Sequence, residues 1–377
     1  MQPRKSIKGM LAYSPPTQGR ETAVRLDFNE NTVGCSPAVT AAVARALSAN
    51  SVAMYPEYGS AREIISSFFE IDSAQLTITN GTDEAIQLLI NTFMEAGDEL
   101  VITSPTYAMY RFYAEVAGVR VREVRYSLDD DLEFPMDALL QSISASTNAI
   151  FIANPNNPTG GAISIPEIRR ILDVAPNAMV LIDEAYVEFS GTTALGLLDE
   201  FENLFVSRTM SKAYGMAGLR CGFLLSSASN MGWVRKAQSP YSVNFVAIAA
   251  AVAAIADKEY VENYVREVVQ ARSFVVAELD RLGIQQFHSD GNFVLFMVGK
   301  HADRIVSDLR SAGVLVRNRS HEFAGSVRVT VGTKQQMELE IFEYIEIWYN
   351  KKRRHGALNY KTIEEFNNQN NIYKNVA

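Results

Sequence analysis

From about Ser36 onward, the apolar positions of the chain fall into two rhythms that alternate. One has helical spacing. It runs through segments 38–47 and 58–69 and through TDEAIQLLINTFM (82–94), where Ile86, Leu89, Ile90 and Phe93 share one face. The other is a series of short runs rich in Val, Ile and Leu: LVIT (100–103), VRVREV (119–124), AIFIAN (149–154), MVLID (179–183), LFVS (204–207) and GFLLS (222–226). Short apolar runs separated by helical stretches predict an α/β fold with a mostly parallel, mixed sheet covered on both faces. FVAIAAAVAAIA (245–256) predicts a buried helix, being too short to span a bilayer. Beyond it the rhythm changes to a long charged helix (258–282), NFVLFMV, a helix over 302–312, VLVRN and SVRVTVG, which predict a smaller α+β domain. The Pro- and Gly-punctuated residues 1–35 read as an arm and loops, contributing part of the small domain. The expected division is thus 1–35, a large domain over 36–256 and a small domain over 257–340.

Composition agrees with this division and narrows the classes. A chain of 377 residues suggests about two domains. With 35 basic and 43 acidic residues the net charge is −8, which disfavours nucleic acid as a partner, because phosphate affinity needs clustered Lys and Arg. Two cysteines, Cys35 and Cys221, cannot make a disulfide framework or a four-ligand zinc site, so no metal is expected and a reducing cytoplasm fits. The first residues lack the apolar core of a signal peptide, and no membrane partner is expected.

In sheets of this kind ligands sit beyond the carboxyl ends of the strands, so the polar residues that follow each apolar run carry the candidate chemistry. Asn80-Gly81-Thr82-Asp83 opens a helix with free N–H groups and a positive dipole end suited to a phosphate; the alternative is a plain cap by Thr82. Asn154-Pro155-Asn156-Asn157-Pro158-Thr159-Gly160 is a rigid turn that also fixes the Asn157 amide as an oriented donor. Asp183, at the end of MVLID, is costly to bury without a cation or a protonated ring nitrogen, although a structural salt bridge would serve equally. In SRTMSKAYGMAGLRCGF (207–223), Lys212 follows two hydroxyl residues and precedes Arg220, a setting for a nucleophilic lysine beside a phosphate clamp of Thr209, Ser211 and Arg220.

NPNNPTG, DEAY and SKAYGMAGLRCGF resemble the signatures of the fold-type I, pyridoxal-phosphate-dependent aminotransferases of classes I and II. Within them the chain is similar to the histidinol-phosphate aminotransferase branch, through LDFNEN (26–31), MYPEYGS (54–60), TNGTDEAI (79–86), SPTYAMY (104–110) and VRVTVGT (327–333). The resemblance covers residues 20–338. It implies that Lys212 carries pyridoxal 5′-phosphate and shuttles a proton, that Asp183 pairs with the pyridine nitrogen, and that Tyr107 stacks on the ring. Asn157 and Tyr186 would hydrogen-bond the phenolic oxygen, while Thr82, Asp83, Thr209, Ser211 and Arg220 would bind the phosphate, the first two largely through backbone N–H groups. Tyr55 would reach that phosphate in a neighbouring subunit, which implies a homodimer. Arg328 would grip a substrate carboxylate, with Arg317 on a second anion, Asn157 beside the substrate, and Tyr13 in the arm as a lid. The implied reaction exchanges an amino group between histidinol phosphate and 2-oxoglutarate. Aromatic amino acids or threonine phosphate are the alternative donors, and a cofactor-binding but inactive chimera is the alternative to an enzyme.

That last alternative arises from the C-terminus. EYIEIWYNKKRRHGALNYKTIEEFNNQN (343–370) resembles the end of insertion-sequence transposases, so residues 341–377 read as a foreign tail grafted after the family's last strand. Its basic run, 351–354, reads as a solvated face, and Met337, Ile341, Ile345 and Trp348 fall at helical steps that would cover the small domain.

Overall fold

A computed structural model describes residues 1–12 and 18–338, together with Glu365. The expected lid residue Tyr13, and the tail from 341 with its helical face of Ile341, Ile345 and Trp348, lie outside the described residues.

The strands, in chain order, are β1 (Val24–Leu26), β2 (Leu76–Thr79), β3 (Glu99–Ser104), β4 (Arg120–Arg125), β5 (Thr147–Ala153), β6 (Met179–Asp183), β7 (Leu204–Thr209), β8 (Gly222–Leu225), β9 (Phe293–Met297), β10 (Val314–Asn318) and β11 (Ser326–Thr330). They form a seven-stranded sheet in the order β2-β8-β7-β6-β5-β3-β4 and a four-stranded sheet in the order β1-β10-β11-β9. In the larger sheet only β8 runs against its neighbours; the pairs from β7 across to β4 are all parallel. Each of the six predicted apolar runs coincides with a strand of this sheet. The hydrophobic pattern does not predict β2, because LTIT alternates with threonine, yet all four of its residues are buried. Nor does it predict β1, which lies in the segment read as arm and loops and pairs in parallel with β10.

Side-chain alternation on the strands sorts the core. On β5, Ile150 and Ile152 join one buried cluster, while Ala149, Phe151 and Ala153 join a second on the opposite face. The larger cluster includes Ala247, Ile248, Ala250, Ala251 and Ala254 of helix Phe245–Ala256, where small side chains let the helix approach closely. It continues through Val268, Ala271 and Val275 of helix Lys258–Arg281 to Val294 and Val327 of the small sheet. One apolar core therefore runs under both sheets and fixes their spacing. Among the described residues no helix is long and apolar enough to cross a membrane.

Candidate active site

In the large sheet, β4 lies to one side of β3 and the later parallel strands lie to the other, so the connections diverge between β3 and β5. A crevice opens at such a switch point, beyond the carboxyl ends of the strands. The loops after β3 and β5 bring Tyr107 and Asn157 to it, the end of β6 brings Asp183, and the end of β7 brings Thr209 and then Lys212. Across the crevice, the small sheet supplies Arg317 and Arg328, which pair in register on β10 and β11. The crevice holds a cavity of about 350 Å³, and every described residue expected at the site lines it except Tyr55. Tyr55 is 78% exposed, stacked on Tyr241 at 4.3 Å between ring centroids.

Asp183 is buried, and its two oxygens accept from Tyr110 Oη at 2.8 Å and Ser207 Oγ at 2.9 Å. Burial pushes its carboxyl up to about 6, against the pull of those two hydroxyls. The adjacent Glu184 is also buried, but Arg208 meets it at 2.7 Å. Of the two open readings of Asp183, the salt bridge belongs to its neighbour instead: among the described residues Asp183 has no cation partner, and it faces the cavity.

The helix after β2 is Gly81–Phe93, with Asn80 as its cap residue; the Asn80 side chain makes no capping bond, and the Asn80 N–H donates to Glu84 Oε2 at 2.5 Å. Thr82 is therefore inside the helix, and the alternative of a plain Thr82 cap is corrected. Asp83 in that turn accepts from Tyr107 Oη at 2.7 Å and pairs with Arg220 Nη2 at 3.0 Å. Gly81 has φ +76°, a conformation that favours glycine, and a Cβ there would push aside the Arg220 guanidinium, whose Nη2 lies 2.5 Å away. Thr209 Oγ1 and Ser211 Oγ lie 2.9 Å apart beside this turn. Helix first-turn N–H groups, two hydroxyls and a guanidinium lining one cavity suit a phosphate. Tyr107 and Asp183 both line the cavity, and a cationic ring nitrogen would supply the charge that Asp183 lacks. The residues present thus suit pyridoxal 5′-phosphate.

Lys212 Nζ donates to the Phe28 carbonyl at 2.9 Å and lies 5.7 Å from the Tyr186 ring centroid. Tyr186 Oη accepts from Asn157 Nδ2 at 3.2 Å and from Asn29 Nδ2 at 3.0 Å. The expected orientation of the Asn157 amide follows from its other end, where Arg328 Nη1 donates to Asn157 Oδ1. Arg328 Nη2 donates to the Asp27 carbonyl at 2.6 Å, so both contacts of this buried guanidinium are neutral oxygens. Burial and the neighbouring Arg319 and Arg317 pull it down to about 9. Arg317 stands with its guanidinium 5.6 Å from the centroid of Phe28.

Sequence reasoning did not single out Tyr110, Ser207 or Asn29 for the site. Ser207 meets Asp183 because β6 and β7 pair in parallel with the two residues in register, and Tyr110 reaches it from the helix Ala108–Ala117 after β3. Asn29 lies in LDFNEN, and the structure gives it a φ of +55°, a conformation that asparagine tolerates better than most residues.

The family described as Aminotransferase class I and II matches residues 21–342, and that described as Integrase core domain matches residues 322–370, the two overlapping over 322–342. The chain is 34% identical to the histidinol-phosphate aminotransferase of Symbiobacterium thermophilum over 348 residues, covering 88% of this chain and 95% of that one. It is 30% identical to the protein of the same name from Ruminiclostridium cellulolyticum, covering 92% of this chain and 98% of the relative. The fold is similar to the crystal structure of histidinol-phosphate aminotransferase from Sinorhizobium meliloti in complex with pyridoxal-5′-phosphate, with a TM-score of 0.79, 24% identity and coverage of 89% and 94%.

Proposed function

The chain belongs to the class I and II aminotransferases, which depend on pyridoxal 5′-phosphate, and on that premise we propose that it exchanges an amino group between histidinol phosphate and 2-oxoglutarate. The relatives named above carry the first substrate in their names. The single observation that carries the reading is the arginine pair: Arg317 and Arg328, in register on adjacent strands, face one cavity, and both contacts of the buried Arg328 are neutral oxygens. Two guanidiniums of this kind suit a donor that ends in a phosphate dianion and an acceptor that ends in carboxylates.

When bound, the cofactor supplies an electron-withdrawing ring that takes up and returns the amino group. The chain's own groups would do the rest. Asp183, ionised, would pair with a cationic ring nitrogen. The first-turn N–H groups of Thr82 and Asp83, with Thr209, Ser211 and Arg220, would hold the phosphate. Tyr107 would stack on the ring, and Asn157 and Tyr186 would donate to its oxygen. Lys212 anchors the cofactor and moves a proton at its Nζ, a role that the Phe28 carbonyl supports by keeping Nζ at the cavity wall. Arg328 and Arg317 bind the anionic end of each substrate in turn.

Tyr55, exposed and outside its own chain's cavity, belongs in this proposal to the phosphate end of a second copy's site, making the enzyme a homodimer. The cavity then lies between a large unit over 36–256 and a small one over 257–340. The cytoplasm is the compartment proposed, since it would keep Cys35 and Cys221 as the free thiols found here.

The test is a half-reaction on the cofactor-loaded protein. Histidinol phosphate, glutamate, phenylalanine and tyrosine are each added alone while the loss of the cofactor's visible absorbance is followed. Fast conversion by histidinol phosphate and glutamate supports the proposal. Conversion by phenylalanine or tyrosine but not by histidinol phosphate would give the aromatic reading instead, and no conversion by any would give the inactive chimera.

A further inference from the structure

The hydroxyl of Tyr186 has two donors and no acceptor. Its oxygen receives Asn157 Nδ2 at 3.2 Å and Asn29 Nδ2 at 3.0 Å, and among the described residues nothing accepts its proton. Neither amide is free to turn over. Arg328 carries donors only, so Asn157 presents Oδ1 to it and Nδ2 to Tyr186. Thr330 Oγ1 accepts from the Asn29 N–H at 3.0 Å and donates to Asn29 Oδ1 at 3.3 Å, which leaves Asn29 Nδ2 for Tyr186. Asn29 is fully buried, and its carbonyl is held in turn by Asn292 Nδ2 at 3.2 Å. With both lone pairs of Oη occupied, the Tyr186 proton has one direction left, into the cavity that Tyr186 lines.

We propose that Asn29 is a positioning residue: it fixes Tyr186 as an obligate donor toward the cofactor's oxygen, and it does so from the small-sheet side through Thr330. The chain Arg328–Asn157–Tyr186–Asn29–Thr330 then joins the arginine that reads the substrate anion to the hydroxyl that tunes the cofactor. The proposal rests on the pyridoxal-phosphate reading of the cavity.

The test is a pH titration of the visible absorption band of the cofactor-loaded protein, with no substrate present. Asn29→Asp keeps the size of the side chain and tolerates φ +55°, but puts an acceptor where Tyr186 meets a donor, so the Tyr186 proton turns away from the cavity. An oxygen that loses a donor is less easily kept anionic, so the titration midpoint should rise by about one unit. In a Tyr186→Phe background, Asn29→Asp should add no further shift, because the group through which it acts is gone. Thr330→Val, which frees the Asn29 amide, should move the midpoint the same way by less, and it serves if Asn29→Asp does not load. An unchanged midpoint in both single variants overturns the proposal. So does an Asn29→Asp shift of equal size with and without the Tyr186 hydroxyl, which would reduce it to the field of a new charge. A wild-type protein that shows no titrating band with pyridoxal phosphate would instead sink the cofactor reading itself.

Discussion

On the large-sheet side of the cavity, Asp183 is a buried carboxylate held by two hydroxyls; on the small-sheet side, Arg328 is a buried guanidinium held by an amide oxygen and a carbonyl. Each charge is positioned by neutral groups that orient it without cancelling it. Glu184 shows what the same chain does with a charge meant only for structure, since Arg208 neutralises it at 2.7 Å. A buried charge left uncancelled is costly unless a ligand completes it. The two walls differ in what completes them. The carboxylate wall, beside a phosphate cradle and Lys212, suits a group that stays; the arginine wall suits anions that come and go.

The largest effect that bears on this contrast is at Lys212, which belongs to the wall for the resident group. Lys212→Ala should lower turnover by roughly 10⁴-fold or more, as loss of a residue that acts within the chemistry does. Noncovalent cofactor binding should survive in the phosphate cradle. A steady-state rate near wild type in that variant would remove Lys212 from the mechanism.

Asp183→Asn comes next. Breaking a buried ion pair costs about 3–5 kcal/mol, so cofactor affinity should fall by roughly 10²–10⁴-fold, measured by fluorescence or absorbance titration of the cofactor-free protein. The pH dependence has a definite sign. Because burial raises the folded carboxyl from 3.8 to about 6, ionising Asp183 without its ligand works against the fold. The stability of the cofactor-free wild type relative to Asp183→Asn should therefore fall as pH rises from about 4 to about 6 and level off above. Parallel melting curves that keep a constant separation over that range would show that Asp183 is not the strained charge described here.

On the other wall, Arg328→Ala should raise the KM for 2-oxoglutarate by about 10- to 100-fold, the loss of hydrogen bonds to a charge worth roughly 1.5–3 kcal/mol. The visible band of the loaded enzyme should stay in place apart from the contribution relayed through Asn157. An unchanged KM would move the carboxylate site elsewhere and break the division between the walls.

How far each wall is legible in the sequence follows from how it is assembled. The large-sheet wall is built from residues that sit just past their own strands, so Asp183, Asn157 and Lys212 are read from MVLID, NPNNPTG and SKAYG without knowing the fold. Their partners are less visible: Ser207 reaches Asp183 through the parallel pairing of β6 with β7, and Tyr110 reaches it from the helix that packs after β3, so neither is read from a local pattern. The small-sheet wall depends on register. Arg317 and Arg328 face one cavity because β10 and β11 pair antiparallel at those positions, which no local pattern states. Asn29 is least legible, since its role needs β1's exit, β11 and β6 in one place. β2 and β1 escaped the hydrophobic pattern because neither is a continuous apolar run: threonine interrupts LTIT and arginine interrupts the three residues VRL.

The smallest expected effect separates the two substrates on the arginine wall. Arg317 lines the cavity beside Phe28 and shares a register position with Arg328, but it is the outer of the two on its strand, where the residues turn half-buried. A phosphate dianion can engage both guanidiniums at once, whereas the carboxylate of 2-oxoglutarate nearest the wall is satisfied by one bidentate arginine. Arg317→Ala should therefore weaken histidinol phosphate more than 2-oxoglutarate. The expected gap is about tenfold in kcat/KM, with the titration midpoint of the loaded enzyme unmoved. Steady-state kinetics with each substrate varied in turn would measure it. Equal losses for both substrates would mean that the second arginine serves the wall's general charge and not the phosphate. No loss for either would leave Arg328 as the whole of the anion site, and the donor would then be one that carries a carboxylate in place of the phosphate.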